Sequence, residues 1–477
     1  MPQPLHHTHL HPSEQVFTGS WEHDVLACLP SDYAQQAIAQ KAFVRARQIR
    51  SAQDLLRGIL AYVLSTYSLR ALSCWALLTD LADMSDRAWG KRLRQAGPWL
   101  QWLLETMLSG PSVTHLLPVL PPDVRVLLID ASSLKQPGGT GDDWRLHLAY
   151  DLLRGRMAEV RLTDQHGSES LAPFHLQSGD VVVSDRGYGY RKNIAVAHAL
   201  GAQVLLRFAP STCPLQREDG TPLDVVAWLK ELGEGTHVVN AICCWEGQSI
   251  AVRVLAQALP PEAAERARQE RRESSRRHGR QVQEETLFLA GWVLLVSTLE
   301  PQVWSPELAL RLYRARWQIE LLFKRLKQIL RLNQVRSKHP QTVQATLCAL
   351  LLAWTLQEQE GQWLREQLDT LPQVLVSPSD GVPPVEDLAE PASPASECDG
   401  ADGPLSSWLL ATMVLQTLRQ AVLGQWTFAR LRAVLPRLRR LLCGSHRRRV
   451  HQERQIRARL LALFSPASEA LFNCSCA

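Results

Sequence analysis

Apolar residues recur at helical spacing through the first part of the chain. Leu55, Leu56, Ile59, Leu60 and Val63 form one such stripe, and residues 32 to about 110 predict helices only. Ser85 and Asp86 stand ahead of a helix that carries Lys91, Arg92 and Arg94. The period then shortens. After Pro121 and Pro122 the run VRVLLIDA (124–131) is β-branched, apolar and closed by an acid, which predicts a buried strand. RLHLAYD (145–151) and MAEVRLT (from 157) follow at hairpin spacing. Next come VVVSD (181–185), a helix near 191–200 and the strand QVLLRF (203–208). From 209 to 298 strand-like runs return as HVVNAICCW, SIAVRVLAQ and LFLAGWVLLVST. The arginine-rich ERARQERRESSRRHGRQ (265–281) interrupts them. Residues 305–331 predict one long helix and 342–369 another.

Three adjacent strands, then strand, helix and strand, form the order expected of a ribonuclease-H-like α/β core. That inference concerns fold and leaves function open. The pattern divides the chain into a helical region (1–115), the first part of the core (121–208), a β-rich insertion (209–298) and the second part of the core (299–369). A Pro-, Ser- and Asp-rich acidic linker (370–404), expected to be disordered, and a basic helical region (405–477) complete it. A length of 477 residues suits about three domains.

Composition narrows the class. Hydrophobic content of 45% and charged content of 21% are globular values. The longest nearly apolar stretch, Ala345 to Leu356, has 12 residues, short of the roughly 18 a membrane-spanning helix needs. The opening MPQPLHHTHLHPSEQ has neither a basic start nor an apolar signal core, so a cytoplasmic protein without a membrane partner is expected. His6, His7, His9 and His11 read as part of a disordered tail. Cys28, Cys74, Cys213, Cys348, Cys398 and Cys443 are isolated. Cys243/Cys244 and Cys474/Cys476 are tight pairs without a second pair at zinc spacing, so the cysteines read as packing residues. The net charge is +5, yet 376–404 alone carries −7, which leaves +12 elsewhere and suits a polyanionic partner. In SDRAWGKRLRQAG the basic face fits phosphate contacts on a recognition helix, and equally an ordinary solvated helix face.

Candidate chemistry begins with two acids. Asp130 ends the apolar run VLLID and Asp185 ends VVVSD. A carboxylate at the end of a buried strand is costly unless it lies at a sheet edge or coordinates a cation. Two on neighbouring strands repel unless a divalent ion lies between them. A third acid, Glu320, lies in YRARWQIELLFKRLKQ. Tyr313, Arg316, Glu320 and Lys327 point to roughly 0°, 300°, 340° and 320° around a helix, with Lys324 near 20°. Glu320 therefore shares a face with donors and cations, while Trp317, Leu321 and Leu322 remain to pack elsewhere. A solvated stripe with ion pairs such as Glu320 to Lys324 is the plainer reading, and it leaves Tyr313 and Arg316 unexplained. GGTGDD (138–143) lacks the strand and helix of a phosphate cradle and reads as a loop. Arg266, Arg268, Arg271, Arg272, Arg276, Arg277 and Arg280, with Arg253 nearby, have few acidic partners and suit DNA-backbone contact.

The spacing Y-x2-R-x3-E-x6-K, complete here as Tyr313, Arg316, Glu320 and Lys327, resembles the signature of bacterial insertion-sequence transposases of the Asp-Asp-Glu type, in their insertion-sequence-four-type group. The similarity extends to LLIDAS at Asp130 and to D-R-G-Y at Asp185, Arg186, Gly187 and Tyr188. It runs from about 85 to 340 and fades in the acidic linker and tail. No signature position is substituted.

The resemblance implies a metal-dependent enzyme that cleaves DNA at element ends and transfers the strands into target DNA, by cut and paste. Asp130, Asp185 and Glu320 would be catalytic and hold two Mg²⁺ (or Mn²⁺) ions. Tyr313, Arg316, Lys327, Lys324 and Arg186 would contact DNA phosphates. Trp292, in AGWVLLVST, matches the Trp on which relatives stack a flipped base, and a half-buried strand Trp explains it as well. Double-stranded DNA of the terminal repeats and the target would be the partner, bound by 1–115 among other regions. A homodimer in a synaptic complex is implied. Rival readings are a catalytically silent DNA-binding repressor or domesticated derivative of the same fold, and a nuclease that cleaves without joining.

Overall fold

The computed structural model describes residues 21–109, 124–135, 137–138, 143–164, 166–370 and 405–424, together with 455, 457 and 458. The histidine cluster, most of GGTGDD, the acidic stretch 371–404 and nearly all of the basic tail lie outside the described residues. The chain forms two compact units, one of 1–107 with 339–450 and one of 108–338 with 451–477.

The first unit is helical throughout its described residues. It contains α1 (Trp21–Asp24), α2 (Tyr33–Ala39), α3 (Ala52–Leu64), α4 (Leu69–Leu78), α5 (Asp86–Gln95) and α6 (Gly97–Ser109). Serines start three of these. Ser51, Ser68 and Ser85 each accept the amide N–H three residues on, which satisfies a donor the helix leaves open. Helix α3 buries the stripe Leu55, Leu56, Ile59, Leu60 and Val63. On α5, Trp89 and Leu93 are buried while Arg87 and Lys91 are exposed, so its amphipathic pattern is realised. Two further helices lie far along the chain, numbered in order below as α13 and α14.

The second unit is built on one eight-stranded sheet. Strands β1 (Val126–Leu134), β2 (Trp144–Asp151) and β3 (Arg156–Asp164) form an antiparallel meander. β4 (Val181–Ser184) runs parallel to β1, and β5 (Gln203–Arg207) parallel to β4, with α7 (Arg191–Ala199) as the crossover. After α8 (Val225–Lys230), β6 (Thr236–Trp245) and β7 (Gln248–Ala258) form a hairpin. α9 (Pro261–Arg277) and α10 (Glu284–Ala290) then lead to β8 (Trp292–Ser297), which pairs antiparallel with both β5 and β7. The spatial order is β3-β2-β1-β4-β5-β8-β7-β6. α11 (Pro306–Ala315) and α12 (Trp317–Gln328) close the unit, with α12 against β1.

α13 (Pro340–Thr370) and α14 (Ser407–Leu423) return to the first unit, where α13 packs against α3, α5 and α14. Arg419 Nε donates to Leu64 O at 2.5 Å and Arg57 Nε to Val422 O at 2.9 Å, so carbonyls near the C-terminal ends of α3 and α14 are answered reciprocally.

Three expectations change in detail. LFLAGWVLLVST is a helix and then a strand: Leu287–Ala290 belongs to α10, because an apolar run without clear period suits either form. The helix expected over 305–331 divides at Arg316, whose N–H bonds the carbonyl three residues back, at Tyr313. Arg253 is not on a basic surface; it is 9% exposed on β7 and donates to Leu299 O and Trp304 O. The cysteines described are all free, with Cys213, Cys243 and Cys348 buried. No helix among the described residues is long and apolar enough to cross a membrane.

A strained contact in the helical unit yields a signed prediction. Gly58 sits in the middle of α3, where alanine is ordinarily favoured by about 1 kcal/mol. A Cβ there would overlap the ring of Trp89, which is 1% exposed. Gly58→Ala is therefore expected to lower stability by about 1–3 kcal/mol, and a thermal melt at or above the parent value contradicts this packing.

Candidate active site

The sheet brings the first two acids together. β1 and β4 are parallel neighbours with Ile129 opposite Ser184, so Asp130 and Asp185 follow side by side at their C-terminal ends. Ser184 Oγ donates to Ile129 O, locking the two strands at that level. At the strand entrances Arg125 Nε and Nη2 grip Asp180 Oδ1 and Oδ2 at 2.8 and 2.5 Å. Asp180 is fully buried and also accepts the Gln177 N–H at 2.7 Å, so its charge is answered on both oxygens.

Each acid is held by the backbone just beyond it. Asp130 Oδ1 accepts the Ala131 N–H at 2.7 Å, and Asp185 Oδ1 accepts the Gly187 N–H at 2.8 Å. Burial, then the charge of Asp185, push the Asp130 carboxyl up to about 7, against the Ala131 N–H and Arg316. An anion there is only partly compensated, which is the electrostatic condition a cation relieves.

The third acid arrives from the helices. Arg316, at the junction of α11 and α12, places Nη2 2.5 Å from Glu320 Oε1 and Nη1 3.5 Å from Asp130 Oδ2. One guanidinium thus bridges Glu320 and Asp130. Its Cζ lies 5.8 Å from the Tyr313 ring centre, and burial raises the Tyr313 hydroxyl pKa. Among the described residues no three acidic, His or Cys side chains stand close enough to hold a metal ion, and Arg316 occupies the space between two of them. On the same helix Lys324 is exposed and Lys327 half-buried, while Leu322 packs in the core and Trp317 is 37% exposed.

Around the expected residues Arg186, Arg271 and Trp292 stand neighbours that the sequence did not single out, Arg207 and the pair Glu169–Arg145. Arg186 loses basicity through burial and the nearby charges of Arg207 and Arg271. Arg207 ends β5, and its Nε is buried without a hydrogen-bond partner. A charged residue closing a buried strand is the same signal that marked the acids. Arg271 lies on α9, so one residue of the arginine-rich segment reaches the neighbourhood of Arg186. Glu169, in a loop with no periodic signal, forms a 3.3 Å ion pair with Arg145 of β2, close to Asp185. Trp292 begins β8 at 8% exposure within the sheet core, its ring 6.3 Å from that of His237.

Beneath the acids lies a polar chain. His147 is buried, with Nε2 3.1 Å from Thr163 Oγ1 and Nδ1 3.1 Å from the Tyr188 hydroxyl. Thr163 spends its hydroxyl proton on Asp164 O, so His147 Nε2 donates to Thr163 and Nδ1 accepts from Tyr188.

With this geometry in place, the class is defined: residues 121–356 match the transposase DDE domain. The chain is 36% identical over 332 residues to the putative transposase InsL for insertion sequence element IS186A of Escherichia coli strain K12, covering 68% of this chain and 89% of that protein. It is 35% identical over 333 residues to the transposase for insertion sequence element IS421 of Escherichia coli, with the same coverage. The chain belongs to the DDE transposases of insertion sequences. The family comprises DNA-cleaving and strand-transferring enzymes that use divalent metal ions. In donor chemistry the acids suit such ions: their oxygens are hard donors, and Asp130 is only partly compensated as an anion.

The buried histidine gives a pH prediction. Burial, then Arg145, lower the His147 pKa to about 4, against about 6.5 unfolded. Its contribution is fully present above 6.5 and is lost as pH falls toward 4, by up to about 1.4 kcal/mol per pH unit. Melts of the parent and His147→Gln between pH 7 and pH 4.5 are expected to show the smaller acid-induced drop in the variant. Equal drops contradict a neutral buried imidazole.

Proposed function

We propose that this protein is the cut-and-paste transposase of an insertion sequence, with Asp130, Asp185 and Glu320 as its catalytic acids. The observation that carries the reading is the placement of Asp130 and Asp185 on adjoining parallel strand ends, with Glu320 linked to Asp130 through Arg316. The strand order β3-β2-β1-β4-β5, with the first three antiparallel and the last two parallel to β1, supports a ribonuclease-H-like core.

Two Mg²⁺ (or Mn²⁺) ions, when bound, would supply charge stabilisation for attack by water or a 3′-hydroxyl at a phosphodiester and for its leaving oxygen. Asp130, Asp185 and Glu320 would hold them. Arg316, released from part of its pairing with the acids, joins Tyr313, Lys327, Lys324 and Arg186 in gripping phosphates beside the scissile bond. The reaction needs no covalent protein–DNA intermediate. The helical region 1–115 would bind the terminal repeats in the cytoplasm, and two copies would pair two ends in a homodimeric synaptic complex.

Labelled DNA carrying the element's terminal repeats, incubated with Mg²⁺, is expected to be cut at the element boundary. Glu320→Ala should lower that rate by roughly 10³-fold or more while retaining end binding, since it removes several kcal/mol of transition-state stabilisation. Specific binding without cleavage by either protein points instead to a repressor. A base-stacking role for Trp292 requires its indole to be uncovered when DNA binds. A Trp292→Ala protein that nicks without forming hairpin ends supports that role, and an unchanged hairpin yield removes it.

A further inference from the structure

A fourth carboxylate stands beside the second acid, and the structure goes to some length to put it there. Glu169 lies in the irregular segment between β3 and β4, 16 residues before Asp185 in the chain. Buried Asn193 of α7 ties this segment to the turn after Asp185. Its Nδ2 donates to Glu169 O at 3.1 Å and to Tyr188 O at 2.9 Å, and its Oδ1 accepts the Leu171 N–H at 2.9 Å.

The Glu169 side chain then lies over Gly187. A Cβ added to Gly187 would overlap Glu169 Oε2 and would stand 3.1 Å from Asp185 Oδ1. The two carboxylate oxygens therefore flank one point, and the missing side chain at 187 is what makes room for them. Gly187 has no left-handed φ, so the position calls for space and not for glycine's conformational range.

The compensation on Glu169 is thin. Its Oε1 meets Arg145 Nη1 at 3.3 Å, longer than a strong charge-assisted bond, with both side chains about 30% exposed. Arg145 also donates to Gly167 O at 3.3 Å, dividing its attention. Two carboxylates brought together, one answered by a 3.3 Å ion pair and the other by the Gly187 N–H and the nearby Arg186, are a costly arrangement for a loop whose only task is structural.

We propose that Glu169 is a fourth acidic member of the cation site, a positioning residue whose charge, delivered over Gly187, raises the affinity of the Asp185 side for a divalent cation. This rests on the metal-dependent reading above. If the Glu169–Arg145 pair is merely structural, breaking it from either side has the same effect and neither change alters cation affinity.

The test is Mn²⁺ binding by the full-length protein without DNA, measured from the paramagnetic resonance of free Mn²⁺, with circular dichroism melts as the check on folding. Glu169→Gln is expected to weaken Mn²⁺ binding roughly 10–100-fold. Gly187→Ala keeps every acid but displaces the Glu169 oxygen and crowds Asp185 Oδ1, and should weaken binding in the same direction. Glu169→Asp, which keeps the charge on a side chain one methylene shorter and should weaken binding less than Glu169→Gln, decides the matter if Glu169→Gln does not fold. Arg145→Gln, which removes a competing cation, should leave Mn²⁺ binding unchanged or tighter. Parent-like affinity in Glu169→Gln and Gly187→Ala, alongside lost binding in Asp130→Asn, overturns the role of Glu169 while the metal site stands. Parent-like binding in Asp130→Asn as well, or no saturable binding in the parent, removes the metal site and this inference together.

Discussion

Asp130 and Asp185 stand side by side because β1 and β4 are parallel neighbours in register, and two anions so placed repel. Much of the surrounding construction answers to that repulsion. Backbone N–H groups of Ala131 and Gly187 each take one carboxylate oxygen. Arg316 brings a positive charge to Asp130 from the opposite side and shares it with Glu320. Even so, burial and Asp185 leave Asp130 reluctant to ionise. An acid in that condition responds strongly to any added positive charge.

The sheet makes such crowding tolerable because it is rigid where it matters. VLLI and VVVS are completely buried, and Arg125 with Asp180 sets the entry of both strands. Hydrogen bonds at the start and at the end of the paired segment leave little freedom for the acids to slide apart. Gly189 continues this tightness: it lies so close to the Arg207 carbonyl that no Cβ fits, which draws the end of β5 against the turn after Asp185. The cationic end of β5 and the acidic ends of β1 and β4 therefore belong to one compact neighbourhood.

What could be read directly from the chain was what leaves a local mark. Asp130 and Asp185 were legible because an acid closing an apolar run of β-branched residues is a one-dimensional pattern. Tyr313, Arg316 and Glu320 were legible from helical offsets, although the helix divides at Arg316 with no Pro or Gly to announce it. Glu169 was not legible, because Asn193, 24 residues later, is what holds it in place. His147 reads as an ordinary strand residue until Tyr188 and Thr163 are seen at its two nitrogens. The placement of β8 between β5 and β7 was equally hidden, since long-range antiparallel pairing has no local signature.

That placement bears on how the protein tolerates change. The stretch between β5 and β8 adds β6 and β7 at the far edge of the sheet, and the chain then comes back as β8 to pair with the strand it departed from. It is woven in, not appended. Residues added near the exposed turns of α9 lengthen an excursion and disturb no pairing. Removing β8 together with the stretch would strip β5 of its neighbour and leave an open row of backbone donors and acceptors one strand away from the acids. In this protein the excursion can therefore gain length more readily than it can lose its return to β5.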